Sequence, residues 1–456
     1  MRDLIVSLFI LSALPVCFRR PLAGMMLFSL LAYMRLQDLT WGFARYERWS
    51  LYVAVVMFAG WMVRGDKGKL PSDIRIALLI LLPIWVILSK VFATGNAPLE
   101  VDKVIEYIKV IGIALFTTLI IRTREHIRAM LWVIGISFAF YAVKNGAAAI
   151  LTGGSLYIRQ GPGGMLEDNN DFALAMAMSV PVLVGLALSE LNPNYRKGLL
   201  ISAPLAGLTV IATRSRGGAL SLGLACAVIV WRSKNRLVGF MLGGIMLVLG
   251  LLLAPAEWYE RLSTLKNHEA DGSAMGRLKA WNVAKEMILD NPFFGVGFNR
   301  FQANYLLYDP AGTGDESHTR VAHNAYLQIW SETGTPAFLF YMSLLFLSLI
   351  DIWSVRREAL RKVERSWILY YCTAFEGAIL TFMLGSGFLN RAHFDLIYHY
   401  FAIILVFGQI ARRELRSPVI QSAGALQSAP LVRVDGGLRN RGPARRFRNT
   451  ALVGEA

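Results

Sequence analysis

DFALAMAMSVPVLVGLALS, residues 171–189, opens with one carboxylate and then runs for eighteen residues without a charge. A helix rises about 1.5 Å per residue, so about 20 apolar residues cover the ~30 Å hydrocarbon core of a bilayer. Comparable runs recur roughly every 25 residues from the N-terminus to about Val406. Lipid offers no partner to backbone polar groups, so runs of this length must satisfy them internally as helices. The expected fold is therefore all-α, a polytopic membrane helix bundle. Composition points the same way: of 456 residues, 55% are hydrophobic and 17% charged, and the mean hydropathy is +0.47. That balance excludes an ordinary water-soluble domain.

Working outward from residues 171–189, further spans are read at about 50–64, 74–92, 104–121, 129–150, 198–213, 217–231, 237–254, 336–353, 367–386 and 394–411. Two shorter stretches, 3–18 and 22–36, flank Arg19-Arg20 and read either as two crossings or as a shallow hairpin. About twelve transmembrane helices are expected. Met1 to Phe18 ends in Arg19-Arg20-Pro21 rather than in a small-residue cleavage site, and is expected to stay as a membrane segment. Cys17, Cys226 and Cys372 lie in or beside apolar runs and read as packing residues.

The net charge of +16 is a matter of topology rather than of nucleic-acid binding. Basic clusters at Arg64/Lys67/Lys69, Arg122/Arg124/Arg128, Arg196/Lys197, Arg232/Lys234/Arg236, Arg356 to Arg365 and Arg412/Arg413/Arg416 mark every second loop. By the positive-inside rule these loops are cytoplasmic. The alternate loops, 37–49, 93–103, 151–170, 214–216, 255–335 and 387–393, then face outward. The expected organisation is membrane helices over 1–254, a helical outer loop domain over 255–335, membrane helices over 336–412, and a disordered basic cytoplasmic tail over 413–456. The tail's basic residues also suit contact with anionic lipid.

Three stretches on the outer side carry chemistry. In Thr213-Arg214-Ser215-Arg216-Gly217-Gly218, two arginines break the positive-inside trend. A guanidinium at the hydrocarbon edge calls for a partner and suits bidentate phosphate recognition, so Arg214 and Arg216 are candidate phosphate ligands. The alternative is that both snorkel to lipid headgroups. Ser273 to Leu289 reads as an amphipathic helix bearing Arg277 and Trp281, stopped at Asp290-Asn291-Pro292. The turn that follows, Phe293-Phe294-Gly295-Val296-Gly297-Phe298-Asn299, is a tight apolar bend expected to pack on the membrane surface. Third, His323-Asn324-Ala325-Tyr326-Leu327-Gln328-Ile329-Trp330-Ser331-Glu332-Thr333-Gly334 predicts a helix from near His323 to Gly334, with Pro336 opening the next span. A histidine there suits a general base near neutral pH, or a cap or interfacial residue.

Another outer stretch, Leu166-Glu167-Asp168-Asn169-Asn170-Asp171, enters the span quoted first. Asn170 or Asp171 is the expected helix cap, while Glu167 and Asp168 suit orienting a basic residue or a sugar hydroxyl. Six scattered histidines, His268, His318 and His393 among them, form no metal-ligand pattern. Metal independence and the lack of any cofactor are expected. Neither a Walker loop nor a Gly-x-Ser-x-Gly elbow occurs, which argues against an ATPase or a serine hydrolase.

The Ser-Arg-Gly-Gly corner, Arg277 with Trp281, the Asn-Pro-Phe-Phe-Gly-Val-Gly turn and the His-Asn-x-Tyr-Leu helix with Glu332 and Gly334 together resemble the O-antigen ligase and polymerase superfamily. The likeness covers about residues 165–410, in the family's order and spacing. The N-terminal stretch, with Arg19-Arg20-Pro21, Met34 and Thr40-Trp41-Gly42-Phe43-Ala44, resembles the exosortase-associated O-glycosylation ligase branch. The resemblance implies a GT-C-like, metal-independent membrane glycosyltransferase in the bacterial inner membrane, its site facing the periplasm. It implies an undecaprenyl-diphosphate-linked glycan as donor, lipid A-core oligosaccharide as acceptor, membrane lipid as surroundings, and no nucleic-acid partner. Carried over by position, it makes His323 the essential histidine and Arg216 and Arg277 the site arginines. It assigns no counterpart to Arg214 and matches Glu167/Asp168 only loosely. Asp168, Asn170, Asn324 and Glu332 remain candidates for orienting the sugar. A polymerase of the same superfamily is the alternative enzyme, and a lipid-linked glycan transporter the alternative class. Few charges fall within the spans, Lys144 and Glu376 being the main exceptions, and no inverted repeat is evident, which weighs against transport.

Overall fold

A computed structural model describes residues 1–64, 67–93, 101–233, 236–237, 244, 272–309, 319–362 and 367–417. The expected span 237–254, the first part of the long loop with His268, residues 310–318 with His318, and the tail beyond Ser417 lie outside the described residues. Residues 1–416 form one compact unit. Every regular element described is helical; beyond the helices there is one isolated bridge, Gln160 to Asp168.

Helices α1 (Arg2–Arg19) and α2 (Pro21–Tyr33) part at Arg20, whose backbone is extended. Pro21 has no N–H to lose at a first helical position, which makes the junction a natural restart. Both pack with α3 (Trp49–Val63) around Ile10, Leu31 and Val53. There follow α4 (Ile74–Phe92), α5 (Val101–Ile120), α6 (Arg124–Leu151), α7 (Asn169–Ser189), α8 (Pro193–Ala212) and α9 (Arg216–Arg232). After the long loop's first part come α10 (Gly272–Asp290), α11 (Ala325–Lys362), α12 (Trp367–Gly385) and α13 (Asp395–Arg416). Among the described residues, five helices are long and apolar enough to cross a membrane: α4, α6, α7, α11 and the stretch Trp367–Phe388. Helices α2 and α3 are apolar but shorter. The protein is thus a helical, multi-pass membrane protein.

Helix α7, the run that opened the sequence reading, is the centre of the bundle. Every residue from Asp171 to Leu183 is buried, and α8, α9 and α12 pack around it. Lipid-like side chains gain little from meeting one another in lipid, so membrane helices associate through close backbone approach at small residues. The contact of α7 with α12 shows this: a Cβ added at Gly377 would stand 2.5 Å from the Pro181 Cβ.

Two buried carboxylates inside the bundle, Glu376 and Asp351, are paired with arginines. Glu376 of α12 is buried and takes Arg232 of α9 in two bonds, Nε to Oε2 at 2.9 Å and Nη2 to Oε1 at 2.5 Å. Trp353 Nε1 of α11 donates to the same carboxylate at 2.8 Å, and Arg356 Nη2 lies 3.4 Å from it. The charge that weighed on the transporter reading is therefore a knot joining three helices. Asp351 forms a second knot, not singled out from the sequence, with Arg75 of α4 and Arg412 of α13. Lys144 lies on the exposed side of α6.

Helix α11 combines two segments. Gly334, at φ 78° and ψ 177°, interrupts it between the histidine-led helix and the span that starts at Pro336. The glycine-punctuated turn clasps this break: Val296 N donates to Ser331 O, Gly297 N to Glu332 O, and Thr335 N to Pro292 O, at 2.8–2.9 Å. Helix α4 closes over both, with Ser89 Oγ donating to Phe294 O and Glu332 O and with Trp85 stacked on Phe294. The turn was expected on the membrane surface; it is instead built into the bundle, because its carbonyls take the donors of α4. Phe293 alone remains largely exposed, at 59%. An alanine Cβ at Gly334 would collide with the Phe293 carbonyl in a backbone region that disfavours side chains. Gly334→Ala is expected to cost about 1–3 kcal/mol, read as a lowered unfolding temperature in detergent.

Candidate functional site

The site is assembled at the end of the bundle where α7, α9, α11 and α13 begin. Helix α8 stops at Thr213, and Arg214 turns the chain with a left-handed φ of 55°. Ser215 then caps α9, its Oγ accepting from Gly218 N at 3.1 Å, so Arg216 becomes the first residue of the helix. A Cβ at Gly218 would stand 2.6 Å from the Ala173 Cβ, so the glycine lets α9 close on α7. The Arg214 guanidinium lies 4.5 Å above the centre of the Tyr157 ring, a cation–π contact supplied by the 151–168 loop.

That loop returns to α7 through Gly161 N donating to Glu167 O. Asp168, not Asn170 or Asp171, caps the helix: its Oδ1 accepts from Asn170 N at 2.8 Å and from Asn170 Nδ2 at 3.0 Å. The helix starts two residues before the apolar run does, because the extended backbone of Asp168 aims its carboxylate at the first free amides. Asn169 Nδ2 donates to Thr213 O at 3.1 Å and ties the start of α7 to the arginine corner. Asp171 is buried and paired with Arg391 from the loop before α13.

Across from them, Trp281 Nε1 of α10 donates to Ala322 O at 3.0 Å, pinning the helix to the residue before His323. Arg277, four residues earlier, shares the face of Trp281 and is thereby carried toward the histidine. Beneath, Ala280, Val283, Ala284 and Met287 of α10 pack with Val296, Phe301, Tyr305 and Ala322 in a small core of their own. His323 itself adopts a left-handed φ of 46°. Asn324, not the histidine, caps α11, its Oδ1 accepting from Tyr326 N and Leu327 N at 3.0 and 3.1 Å. Freed from capping, the imidazole is exposed.

The protein around His323 nonetheless desolvates its cation, and this effect first, then the Arg277 charge, holds its pKa below the usual value; Asp168 pulls the other way. The structure thus brings His323, Arg277 and Asp168 into electrostatic reach of one another, with the Arg214–Arg216 corner tied to Asp168 through Asn169. Among the described residues only Arg35, Arg214, Asn299 and His323 combine a positive φ with a side chain beyond glycine. Two of these four are site candidates, in line with the clustering of backbone strain at functional sites.

Asn324 is engaged in capping, and Asn170 is bonded to Asp168. Glu332 lies buried under the site, its Oε1 3.4 Å from Phe301 N and its Oε2 3.8 Å from His393 Nε2, which makes it a support for the loop rather than a group presented to solvent. Arg391 and Arg35 went unnoticed in the sequence. Arg391 feels Asp171, Asp168 and Asp395. Arg35 pairs with Asp38 and packs on Gly163 and Gly164 of the loop before α7. For Arg391 a signal existed: it is an arginine in a short loop that the charge rule places outside, as are Arg214 and Arg216. Among the described residues no three His, Cys, Asp or Glu side chains gather as a metal site.

The pH dependence follows from the signs. A base is lost as pH falls through its folded pKa, which here lies below the ordinary ~6.5 of histidine. Arg277→Gln removes a charge that lowers this pKa and is expected to move the acidic limb of activity to higher pH. Asp168→Asn removes one that raises it and is expected to move the limb lower. Residual kcat/KM against pH checks both; shifts of the same sign in the two variants would break the assignment.

These observations define a helical membrane protein with an exposed histidine at one end of its bundle, its pKa lowered by desolvation and by the Arg277 charge. Residues 201–342, which contain Arg214, Arg216, Arg277, His323, Asn324 and Glu332, match the family model described as O-Antigen ligase, which supports the O-antigen ligase and polymerase superfamily. Residues 1–184 match a family of unknown function, DUF5935. A search of curated proteins finds no match. Among solved structures, a chain reported under "Structural coordination of polymerization and crosslinking by a peptidoglycan synthase complex" is similar with a TM-score of 0.42 at 14% identity, over 77% of this chain and 100% of that one.

Proposed function

We propose that the protein is an inverting, metal-independent glycan ligase of about twelve transmembrane helices and GT-C-like architecture, working on the periplasmic side of the bacterial inner membrane. It moves a glycan from undecaprenyl diphosphate to a hydroxyl of lipid A-core oligosaccharide. The observation that carries this reading is the exposed His323 at the head of α11, its pKa lowered by desolvation and by the charge of Arg277. The acceptor oxygen attacks the anomeric carbon and passes its proton to His323, while the anomeric C–O bond breaks and its electron pair leaves with the diphosphate. Arg216 and Arg277, with Arg214 beside them, stabilise the charge that grows on the leaving group. The diphosphate leaves without protonation, so no carboxylate pair of the glycosidase kind is needed. Asp168 tunes the histidine through its charge.

The test is reconstitution of the purified protein with a defined undecaprenyl-diphosphate glycan and lipid A-core acceptor. The expected product has the mass of the acceptor plus the transferred glycan. Elongation of one lipid-linked glycan by another would make the protein a polymerase, and translocation without any new glycosidic bond would make it a transporter.

A further inference from the structure

A cavity of about 640 Å³ lies at the end of the bundle away from the site, between the loop 67–72, the end of α5 and the last turns of α13. Asp395, at the start of α13, lies near the site arginine Arg391, whereas Arg413, on the cavity, lies eighteen residues further along the same helix. At about 1.5 Å per residue this separates the two by ~27 Å, close to the thickness of a bilayer core.

The lining divides into two zones. Its floor includes Ile121, Val406 and Ile410, all buried and apolar. Its mouth carries Lys67, Lys69, Arg122 and Arg413, all exposed. No carboxylate lines the cavity among the described residues. Asp73 and Asp351, which belong to neighbouring helix ends, are engaged by Arg75 and Arg412. Gly68 holds the loop against Arg122: a Cβ there would stand 2.6 Å from Leu119 O and 2.9 Å from the Arg122 guanidinium. Lysines that merely snorkel need no enclosed space behind them. An apolar recess under a ring of cations fits an amphiphile with a phosphate headgroup, since the cations take the phosphate and the recess takes the first part of the acyl chains.

We infer that this cavity binds an anionic phospholipid of the leaflet opposite the site. The inference rests on the chain being a multi-pass membrane protein and not on the transfer reaction. Free inorganic phosphate shares the headgroup chemistry but leaves the apolar floor unfilled.

The experiment is native mass spectrometry of the full chain released from an uncharged detergent after incubation with equimolar phosphatidylglycerol and phosphatidylethanolamine. Wild-type protein is expected to retain phosphatidylglycerol preferentially. Lys69→Gln and Arg413→Gln are each expected to lower the preference about fivefold. Ile410→Trp, which fills the floor and leaves every charge in place, is expected to lower retention as well. Size-exclusion profiles identify any variant that fails to fold; Lys69 lies in the 67–72 loop and Ile410 and Arg413 on α13, so a folding failure in one segment leaves the other informative. Unchanged preference in the folded charge variants would overturn the proposal. So would displacement of the lipid by an equal concentration of inorganic phosphate, which would mark a site for the free anion. Glycan transfer is not the readout, so failure of the proposed reaction leaves this result standing.

Discussion

Glycan transfer by His323→Ala is expected to fall by about 10²–10⁴-fold, the usual contribution of a positioned general base. The argument is geometric before it is electrostatic. Asn324 caps α11, so His323 does no structural work at the helix start, and its ring is exposed beside a helix anchored by the bond from Trp281 to Ala322 O. A base must be neutral to accept a proton, and desolvation together with the Arg277 charge favours the neutral imidazole by lowering its pKa. The variant is expected to insert and unfold like the wild type, since the helix start is capped by the Asn324 side chain and not by the imidazole. Transfer within about twofold of wild type in the reconstituted assay would exclude proton abstraction by His323. Loss of transfer together with loss of folded protein would assign the residue a structural role instead.

Glu376→Ala is expected to destabilise the folded protein by about 3–5 kcal/mol, because removing one partner of a buried ion pair leaves its counter-charge uncompensated. Here the loss is shared among three partners on two helices: the Arg232 guanidinium, the Trp353 indole N–H and the Arg356 guanidinium. The double variant Glu376→Ala/Arg232→Ala is expected to recover part of that loss, since it removes charge from both sides of the pair. Unfolding temperature in detergent reads all three proteins. An unchanged value in Glu376→Ala would refute a structural role for the knot, and a specific loss of lipid-linked glycan movement in an otherwise stable variant would return Glu376 to the transporter reading.

Much of the candidate site was legible because its chemistry is written in short local strings. Arg214 and Arg216 stood out as charges at an apolar corner, and His323 as the head of a helix whose end was set by Gly334, whereas Arg277 was one of several charges on its helix and was singled out only through the family resemblance. Element boundaries followed from proline and glycine: Pro21, Pro292, Gly334 and Pro336 all act within one turn of themselves. The cap of α7 was misplaced by two or three residues because hydrophobicity marks where a helix becomes buried, whereas Asp168 marks where its free amides begin. Glu332 resembled a site residue in sequence, yet its burial depends on the 293–301 segment folding over it, which no local pattern records.

Sequence alone determined that this protein is an all-helical, multi-pass membrane protein, and it singled out the arginines of the 214–216 corner and a histidine at a helix start as residues at odds with their surroundings. These follow from the cost of exposing backbone and charge to lipid, a cost paid residue by residue along the chain. Only the tertiary structure decided which of those residues meet. The tie from Asn169 to Thr213, the pair of Asp171 with Arg391, the approach of Arg35 to Gly163 and Gly164, and the cavity under Lys67 and Arg413 all join segments far apart in the chain. Their meeting depends on small residues such as Gly218 and Gly377 letting helices close, and that complementarity belongs to pairs of surfaces rather than to any one stretch of sequence.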